Sequence, residues 1–388
     1  MMAEDHMGRR DKSAPPPAPG AGYSRRKLLG HGLVAAGGVV LATKAASGQQ
    51  STTDQPLAEP DWSKSLGAGV SERPYGQPSP FEKDIIRRSV PWLTGTDQSS
   101  ITFSPLQHQT GIITPNGLFF ERDHAGLTLV DPTEHRLLIH GLVERPVLLT
   151  MKDIERFPSV SQIHFIECAA NGGMEWRAAQ LNSLQFNHGM ISCAEWTGVK
   201  LSTLLNEVGL KPNASWVLAE AADGAHVDRS IPIEKCLDDC MVVYGQNGEK
   251  LRPEQGYPLR LLVPGWQGNI NVKWLRRLEV GDQPWFSREE TSQYTELLPD
   301  GRARAFTWTM YAKSVITFPC PENPVPGPGL HEIRGFAWSG KGKVTRVDVS
   351  VDGGVNWMKA RLNEPVLTKA LTKFTAEWRW DGKPALLQ

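Results

Sequence analysis

The chain has 388 residues, length enough for two domains with cores of their own. Lys plus Arg and Asp plus Glu both total 42, and a chain without a basic excess is poorly equipped to displace the counterions of a nucleic acid. Hydrophobic residues at 40% and charged residues at 22% are the proportions of a soluble globular protein, while 13 Trp and 29 Pro point to compact, turn-rich β structure rather than a helical bundle.

Residues 1–47 read as an address. Ser24-Arg25-Arg26-Lys27-Leu28-Leu29 precedes a small apolar run at 32–42 and the small residues Ala45-Ala46-Ser47. The run is too short and too glycine-rich for a membrane span, and the paired arginines have the form of a twin-arginine export signal. A basic, unstructured tail is the plainer alternative. The stretch before Ser24 is long and Pro-rich, so Met7 is an alternative start. A periplasmic protein, exported already folded and with no membrane span in the mature chain, is the expectation. Five cysteines, Cys168, Cys193, Cys236, Cys240 and Cys320, leave at least one thiol unpaired. Cys236 and Cys240 would share a helix face, but two ligands do not make a zinc site. No Cys-x-x-Cys-His occurs, so no haem of its own is expected in this chain.

Residues 48–80, rich in Gly, Ser, Pro and Gln, are expected to form a linker or wrapping arm. A dense region follows at 81–285. Strands are expected at 136–141, 161–166, 216–221 and 259–263. One helix should start at Thr150, which has capping-box spacing to Asp153, and another should span 201–208, closed by Gly209. Strands and helices interleave without a βαβ repeat, which predicts an α+β fold. No glycine-rich fingerprint follows a strand, which argues against NAD and ATP. Residues 286–304 are polar and read as a connection. In 305–388, Val347, Val349 and Val351 alternate with polar residues at the period of a half-buried strand, and Asp352-Gly353-Gly354 turns the chain into 355–362. With 330–337 and 374–380 this predicts a β-sandwich. Gln388 falls in an apolar segment with no closing strand, so the sandwich reads as incomplete there.

The segment that points to chemistry is His164-Phe165-Ile166-Glu167-Cys168-Ala169-Ala170-Asn171-Gly172-Gly173. An apolar strand leads into a cysteine, and small residues and two glycines then leave backbone free to approach a bulky ligand. A buried cysteine at a strand end is the plain reading, because buried cysteine is common. A thiolate ligand would suit a metal whose other donors are also sulfur.

This segment resembles the molybdenum-ligating motif of the sulfite oxidase family. Phe120-Glu121-Arg122-Asp123-His124 is similar to the family's Phe-x-Arg-Asn-His stretch at the pterin, and 220–232, with Asp223 and Ser230-Ile231-Pro232, to its pterin-binding loop. The longest likeness runs from Tyr244 to Lys273, through Gly256-Tyr257-Pro258-Leu259-Arg260 and Val263-Pro264-Gly265. Gly335-Phe336-Ala337-Trp338-Ser339-Gly340 and 347–357 resemble the family's dimerisation domain. The likeness covers roughly 120–380 in one order. Cys168-Ala169-Ala170-Asn171-Gly172-Gly173-Met174-Glu175-Trp176-Arg177 is most similar to the molybdenum subunits of sulfane dehydrogenases, because typical sulfite oxidases carry two arginines where Gly172 and Gly173 stand. A lost guanidinium removes a bidentate contact to sulfite, with Arg177 a candidate to compensate.

The resemblance implies a mixed α/β molybdopterin domain followed by an immunoglobulin-like dimerisation domain. It implies a dioxo-molybdenum–molybdopterin cofactor with Cys168 as its one protein ligand. Arg260 and Lys273 would pair its phosphate, while Asn271 and Asp223 would contact its ring system. Phe120, Arg122, Asp123, His124 and Gln255 complete the expected cofactor set; Gln255 stands where many relatives have His. Arg122, with Cys168, is the expected catalytic residue and would hold substrate oxygens. The family's active-site tyrosine falls near Thr291, with Tyr294 close by. The implied activity is oxidation of protein-bound sulfane or persulfide sulfur, with electrons leaving to a c-type cytochrome. A sulfur-carrier protein is a further expected partner, in a homodimer or a heterotetramer with the cytochrome. The alternatives are a sulfite dehydrogenase, a reductase of oxidised proteins (which the third region disfavours) and a cofactor-free exported scaffold.

Overall fold

The computed structural model describes residues 78–90, 99–173, 175 and 182–388. The export signal, nearly all of the expected arm and Arg177 lie outside the described residues.

Three short strands, β1 (Arg88–Ser89), β2 (Ser100–Phe103) and β3 (Arg122–Asp123), form one antiparallel sheet. A second sheet holds β4 (Arg136–Gly141), β5 (Val147–Thr150), β8 (Trp216–Ala221), β9 (Asp228–Pro232) and β13 (Leu275–Gly281) in the order β5-β4-β13-β8-β9. Its β4–β13 pairing is parallel and the rest antiparallel. A third sheet, wholly antiparallel, holds β6 (Ser159–Glu167), β7 (Ile191–Lys200), β10 (Met241–Gln246) and β11 (Glu249–Lys250), with β12 (Arg260–Leu262) also paired to β10.

Local chemistry explains most of these elements. Helix α1 (Met151–Ile154) starts at the expected Thr150–Asp153 capping box. A second helix, α2 (Leu184–His188), starts at Ser183, whose hydroxyl accepts the Phe186 N–H. In α3 (Leu201–Val208) the buried residues are Leu201, Leu204, Leu205 and Val208, the i, i+3, i+4, i+7 stripe of a helix with one face inward. Gly209, at φ +70°, ends it with its N–H on the Leu205 carbonyl. The α3 stripe packs with α4 (Ile233–Asp238) and with residues from both five-stranded sheets, including Ile139, Val199, Val217, Val242 and Leu278, in one apolar core. Cys236 and Cys240 belong to that core, and all five cysteines are free thiols. Among the described residues no helix is long and apolar enough to cross a membrane.

After the small hairpin β14 (Glu296–Leu297) and β15 (Ala303–Arg304) comes a four-stranded antiparallel sheet. It contains β16 (Lys313–Phe318), β17 (Gly329–Trp338), β20 (Arg361–Asn363) and β21 (Thr372–Trp380) in the order β16-β17-β21-β20. Both faces are covered. Phe336 and Trp338 of β17 turn to one side, against Phe165, Ile191 and Cys193 of the first domain. Ile333 and Ala337, of opposite parity, turn to the other. There they meet Val349 of the hairpin formed by β18 (Asp348–Val349) and β19 (Met358–Lys359).

Two expectations for this region are corrected. The strand expected at 355–362 is broken at Ala360, whose N–H instead bonds the Val347 carbonyl. The alternation at 347–351 is interrupted because Ser350 is buried; its hydroxyl donates to Asp352 and accepts the Gly354 N–H, closing the turn. The chain end is also paired: Gln388 and Ser350 exchange two backbone hydrogen bonds, at 2.8 and 2.9 Å, and Gly353 N–H reaches the Leu386 carbonyl.

The two domains meet at a pair of glycines. A Cβ on Gly340 would lie 2.0 Å from the Gly265 carbonyl oxygen, and one on Gly265 would lie 2.3 Å from that of Gly340. Met310 completes the junction, donating to Gly265 O at 3.0 Å and accepting from Gly340 N at 2.9 Å. Gly340→Ala should therefore destabilise the protein by about 1–3 kcal/mol, as other insertions into packed interiors do. A urea-unfolding midpoint equal to wild type would show that the junction relaxes without cost.

Candidate functional site

One pocket gathers nine of the ten cofactor and catalytic residues expected from the sequence. β3 carries Arg122 and Asp123 into it, with His124 next in the chain and Phe120 before them. Cys168 enters from the end of β6, Asp223 from the turn after β8, and Arg260 from the start of β12. Gln255 and Lys273 complete the nine, Lys273 lying just before β13. Asn271 is the exception. It stands behind the wall, its amide oxygen taking Val263 N–H at 2.7 Å, its amide nitrogen donating to Gln267 O, and its carbonyl holding Arg260 Nη2 at 3.1 Å. Its place is that of a brace for Arg260.

Cys168 lies against backbone rather than side chains on one side. Its N–H bonds the Met190 carbonyl at 3.0 Å. A Cβ on Gly268 would lie 2.9 Å from Glu167 O and 3.4 Å from the Cys168 Cα, so only glycine lets the loop at 268–270 approach this closely. Burial pushes the Cys168 thiol up from its usual value, and the charges of Arg122 and Lys313 act in the opposite direction.

The pocket holds more buried positive charge than it neutralises. Lys273 ion-pairs Asp123 and also donates to the carbonyls of Arg122, at 3.2 Å, and Glu254, at 3.0 Å. Burial nonetheless holds its ammonium below the usual lysine range. Arg260 is 3% exposed, and among the described residues no carboxylate lies within salt-bridge distance of it. Its guanidinium donates to Gln255 O at 3.0 Å, Gln255 Oε1 at 3.2 Å and Asn271 O, leaving Nε without a partner. Burial lowers its pKa to about 9, with only the charge of Asp123 opposing. Arg122 spends Nη1 on the Ser100 and Asp123 carbonyls and forms no ion pair among the described residues. The indole N–H of Trp274 is a further buried donor without an acceptor among the described residues. Such groups are costly to bury alone and are matched by an anion with several acceptor oxygens.

The donor set also bears on a metal. Among the described residues no three His, Cys, Asp or Glu side chains are grouped to hold one. A metal at Cys168 must then bring most of its own donors, as a dithiolate-bearing pterin does. The thiol, the unmatched Arg260 and the Gly268 approach together fit a phosphorylated pterin that carries molybdenum.

Tyr294 lines the pocket, with its hydroxyl 3.0 Å from His124 Nε2. Thr291, the position suggested by spacing, instead bonds Ser287 O from an exposed site. Sequence reading missed how 286–304 reaches the pocket. Glu289 and Glu290 in this polar stretch are 2% and 1% exposed. Glu290 accepts from Ser230 N and Oγ and faces buried Arg229 at 3.7 Å, and Arg229 in turn lies 5.3 Å from the Tyr294 ring centroid. Asn269, which takes a hydrogen bond from Arg229, and Trp274 were likewise missed as lining residues. The only sequence signal was adjacent acids, which ordinarily mark a solvated face.

Burial, reinforced by Arg122, Lys273 and Arg288, lowers the His124 pKa from 6.5 to about 4. The folded state thus binds fewer protons than the unfolded chain between these values, and this histidine's contribution to stability rises with pH across that window. His124 should stay neutral from pH 5 to 8. An imidazole titration by NMR with a midpoint above 6 would overturn the assignment.

Two family models match the chain. The oxidoreductase molybdopterin-binding domain covers residues 124–289 and the Mo-co oxidoreductase dimerisation domain covers 304–381. Sulfite oxidase of Gallus gallus is 34% identical over 270 residues, 64% of this chain and 59% of that protein. NADH nitrate reductase of Ulva prolifera is 30% identical over 301 residues, 70% of this chain and 34% of that enzyme. The chain therefore spans less than two thirds of these relatives' own length. The crystal structure of the sulfane dehydrogenase SoxCD from Paracoccus pantotrophus matches with a TM-score of 0.82 and 51% identity, covering 85% of each chain. With both domains matched in order and a solved relative matched over 85% of each chain, the chain belongs to the sulfite oxidase family of molybdopterin oxidoreductases.

Proposed function

We propose that the protein is a periplasmic, molybdenum-dependent dehydrogenase that oxidises sulfane or persulfide sulfur and passes the electrons to a c-type cytochrome. The observation that carries the cofactor assignment is the pairing of one thiol, Cys168, with Arg260, a buried cation without a carboxylate partner among the described residues. Bound here, a molybdenum–pterin supplies two-electron redox chemistry coupled to oxygen transfer. Cys168 would ligate the metal. Arg260 and Lys273 would hold the phosphate, and Asp223, Gln255 and Phe120 would bear on the ring system. Asn271 would act at one remove by fixing Arg260.

Arg122 carries no carboxylate, so its guanidinium remains able to hold substrate oxygens. His124, whose pKa is held below that of a free imidazole by desolvation and the neighbouring cations, and Tyr294, whose hydroxyl pKa is raised, form a pair able to orient a polar substrate group without adding charge. Substrate class is argued from Gly172 and Gly173. Gly172 sits at φ +80°, a backbone state that strains an arginine, and a Cβ on Gly173 would lie 3.0 Å from Ala170 O. Two further guanidiniums for a small dianion are thus absent from this turn, which supports a bulkier or less charged sulfur species. The likeness to the solved sulfane dehydrogenase structure supports the same reading. Sulfite oxidation is the second reading, favoured by unpaired Arg122. The paired arginines at 25 and 26 support export by the twin-arginine route.

The test is anaerobic titration of the oxidised, molybdenum-loaded protein, following the thiolate-to-molybdenum charge-transfer band. Persulfide-bearing protein should bleach the band and sulfite should not; prompt bleaching by sulfite would put the second reading first. Cys168→Ser should lose the band and the activity while keeping the wild-type fold. Arg260→Gln should lower molybdenum content at least about tenfold, the usual effect of deleting a charged partner of a bound anion. Full metal content in both variants would sink the cofactor assignment.

A further inference from the structure

Glu167 precedes Cys168, and its carboxylate is fully buried. It does not face the pocket. It crosses into the second domain, where Oε1 accepts from Lys313 Nζ at 3.0 Å and Oε2 from Trp338 Nε1 at 2.8 Å. Lys313 opens β16 and Trp338 closes β17, and the two are paired directly across these strands. One end of the second domain's sheet thus presents a cross-strand pair of donors that grips a single carboxylate of the first domain.

The same carboxylate holds the cysteine loop. Glu167 Oε1 also accepts from Asn171 Nδ2 at 3.0 Å, and Asn171 Oδ1 takes the Met190 N–H at 3.1 Å. Lys313 Nζ reaches the Asn171 carbonyl at 3.5 Å. Among the described residues the loop is otherwise tied by backbone hydrogen bonds, from the N–H groups of Cys168, Asn171, Gly172 and Gly173 and from the Glu175 N–H to the Gly172 carbonyl at 3.1 Å. The loop itself consists of Cys168-Ala169-Ala170-Asn171-Gly172-Gly173, small side chains that offer little apolar burial to hold it. Glu167 and Lys313 therefore carry the strongest bonds available to it, because a hydrogen bond to a buried, charged carboxylate contributes more than a neutral one. The glycine contact at 265 and 340 and the apolar face of β17 bring the two domains together but place no donor on this loop.

We infer that Lys313 and Trp338 are positioning residues for Cys168: the second domain holds the cysteine loop through Glu167 and so sets where the thiol stands. The inference deepens the cofactor assignment above and rests on it for its significance, but its test does not need the cofactor.

The experiment is amide hydrogen exchange on the full chain, purified with and without molybdenum. Peptides over 168–173 are compared with those over β17 and β21. In Lys313→Met, exchange of the loop should rise about ten- to a hundredfold, the range expected for losing a hydrogen bond to a buried charge, while β17 and β21 keep wild-type protection. Lys313→Arg should restore most of the loss. Trp338→Phe, which removes one donor and keeps an aromatic ring, should shift the loop in the same direction by a smaller factor, and it carries the test if Lys313→Met does not fold. An unchanged loop in both variants would overturn the inference, as would loop and sheet loosening together to the same degree. A loop that opens as expected in a protein that never binds molybdenum would uphold the coupling and reject the cofactor assignment. A metal-loaded protein whose loop ignores both substitutions would do the reverse.

Discussion

A guanidinium buried without a carboxylate constrains everything around it, and Arg260 is in that position. The fold surrounds it with oriented oxygens: the Gln255 carbonyl and amide, and the Asn271 carbonyl. Those acceptors must themselves be held. Gln255 is tied to the Phe120 carbonyl at 2.9 Å, and Asn271 is pinned by Val263 and Gln267. The indole face of Trp196, 5.1 Å away, covers the remaining side. The strand ends that meet here are thus fixed by the need to make one cation tolerable while leaving its Nε free. Partial neutralisation would have been simpler with an acid beside it, and the nearby acid, Asp123, is engaged by Lys273 instead. The arrangement favours an incoming anion over an internal salt bridge.

Much of this was legible in the residues. β4, β8 and α3 lie where their patterns placed them, and the Thr150 capping box formed as spelled. These elements have one dry face or an explicit end signal, so sequence periodicity and burial agree. β7 has no such signature. It lies between β6 and β10 and is buried along nearly its whole length, so Ile191–Lys200 shows no alternation to read. The pocket residues were legible through family resemblance, because a lone arginine or lysine in sequence carries no sign that it will be buried.

The remainder depended on contacts between distant segments. Glu289 and Glu290 look like solvated acids until Arg288, Arg229 and Ser230 are known to face them. Asn271 has the chemistry of a ring contact, and only the positions of Val263, Gln267 and Arg260 turn it into a brace. Ser350 broke an otherwise clear alternation because a turn needed its hydroxyl more than the strand needed its exposure. In each case the deciding partner is set by how the chain folds back on itself, near or far in sequence, which no periodicity encodes.

The shared face of β17 has a consequence for the order of events during synthesis. Phe336 and Trp338 pack against Phe165, Ile191 and Cys193 of the first domain, and the donor of the Glu167 ion pair follows its acceptor by 146 residues. At about 5–20 residues per second a ribosome needs roughly 7–30 s to cover that distance. Throughout that interval the nascent chain holds Glu167 and the cysteine loop without Lys313 and Trp338. A large ligand could enter while the loop is still loosely held, and completion of the second sheet would then close the wall behind it.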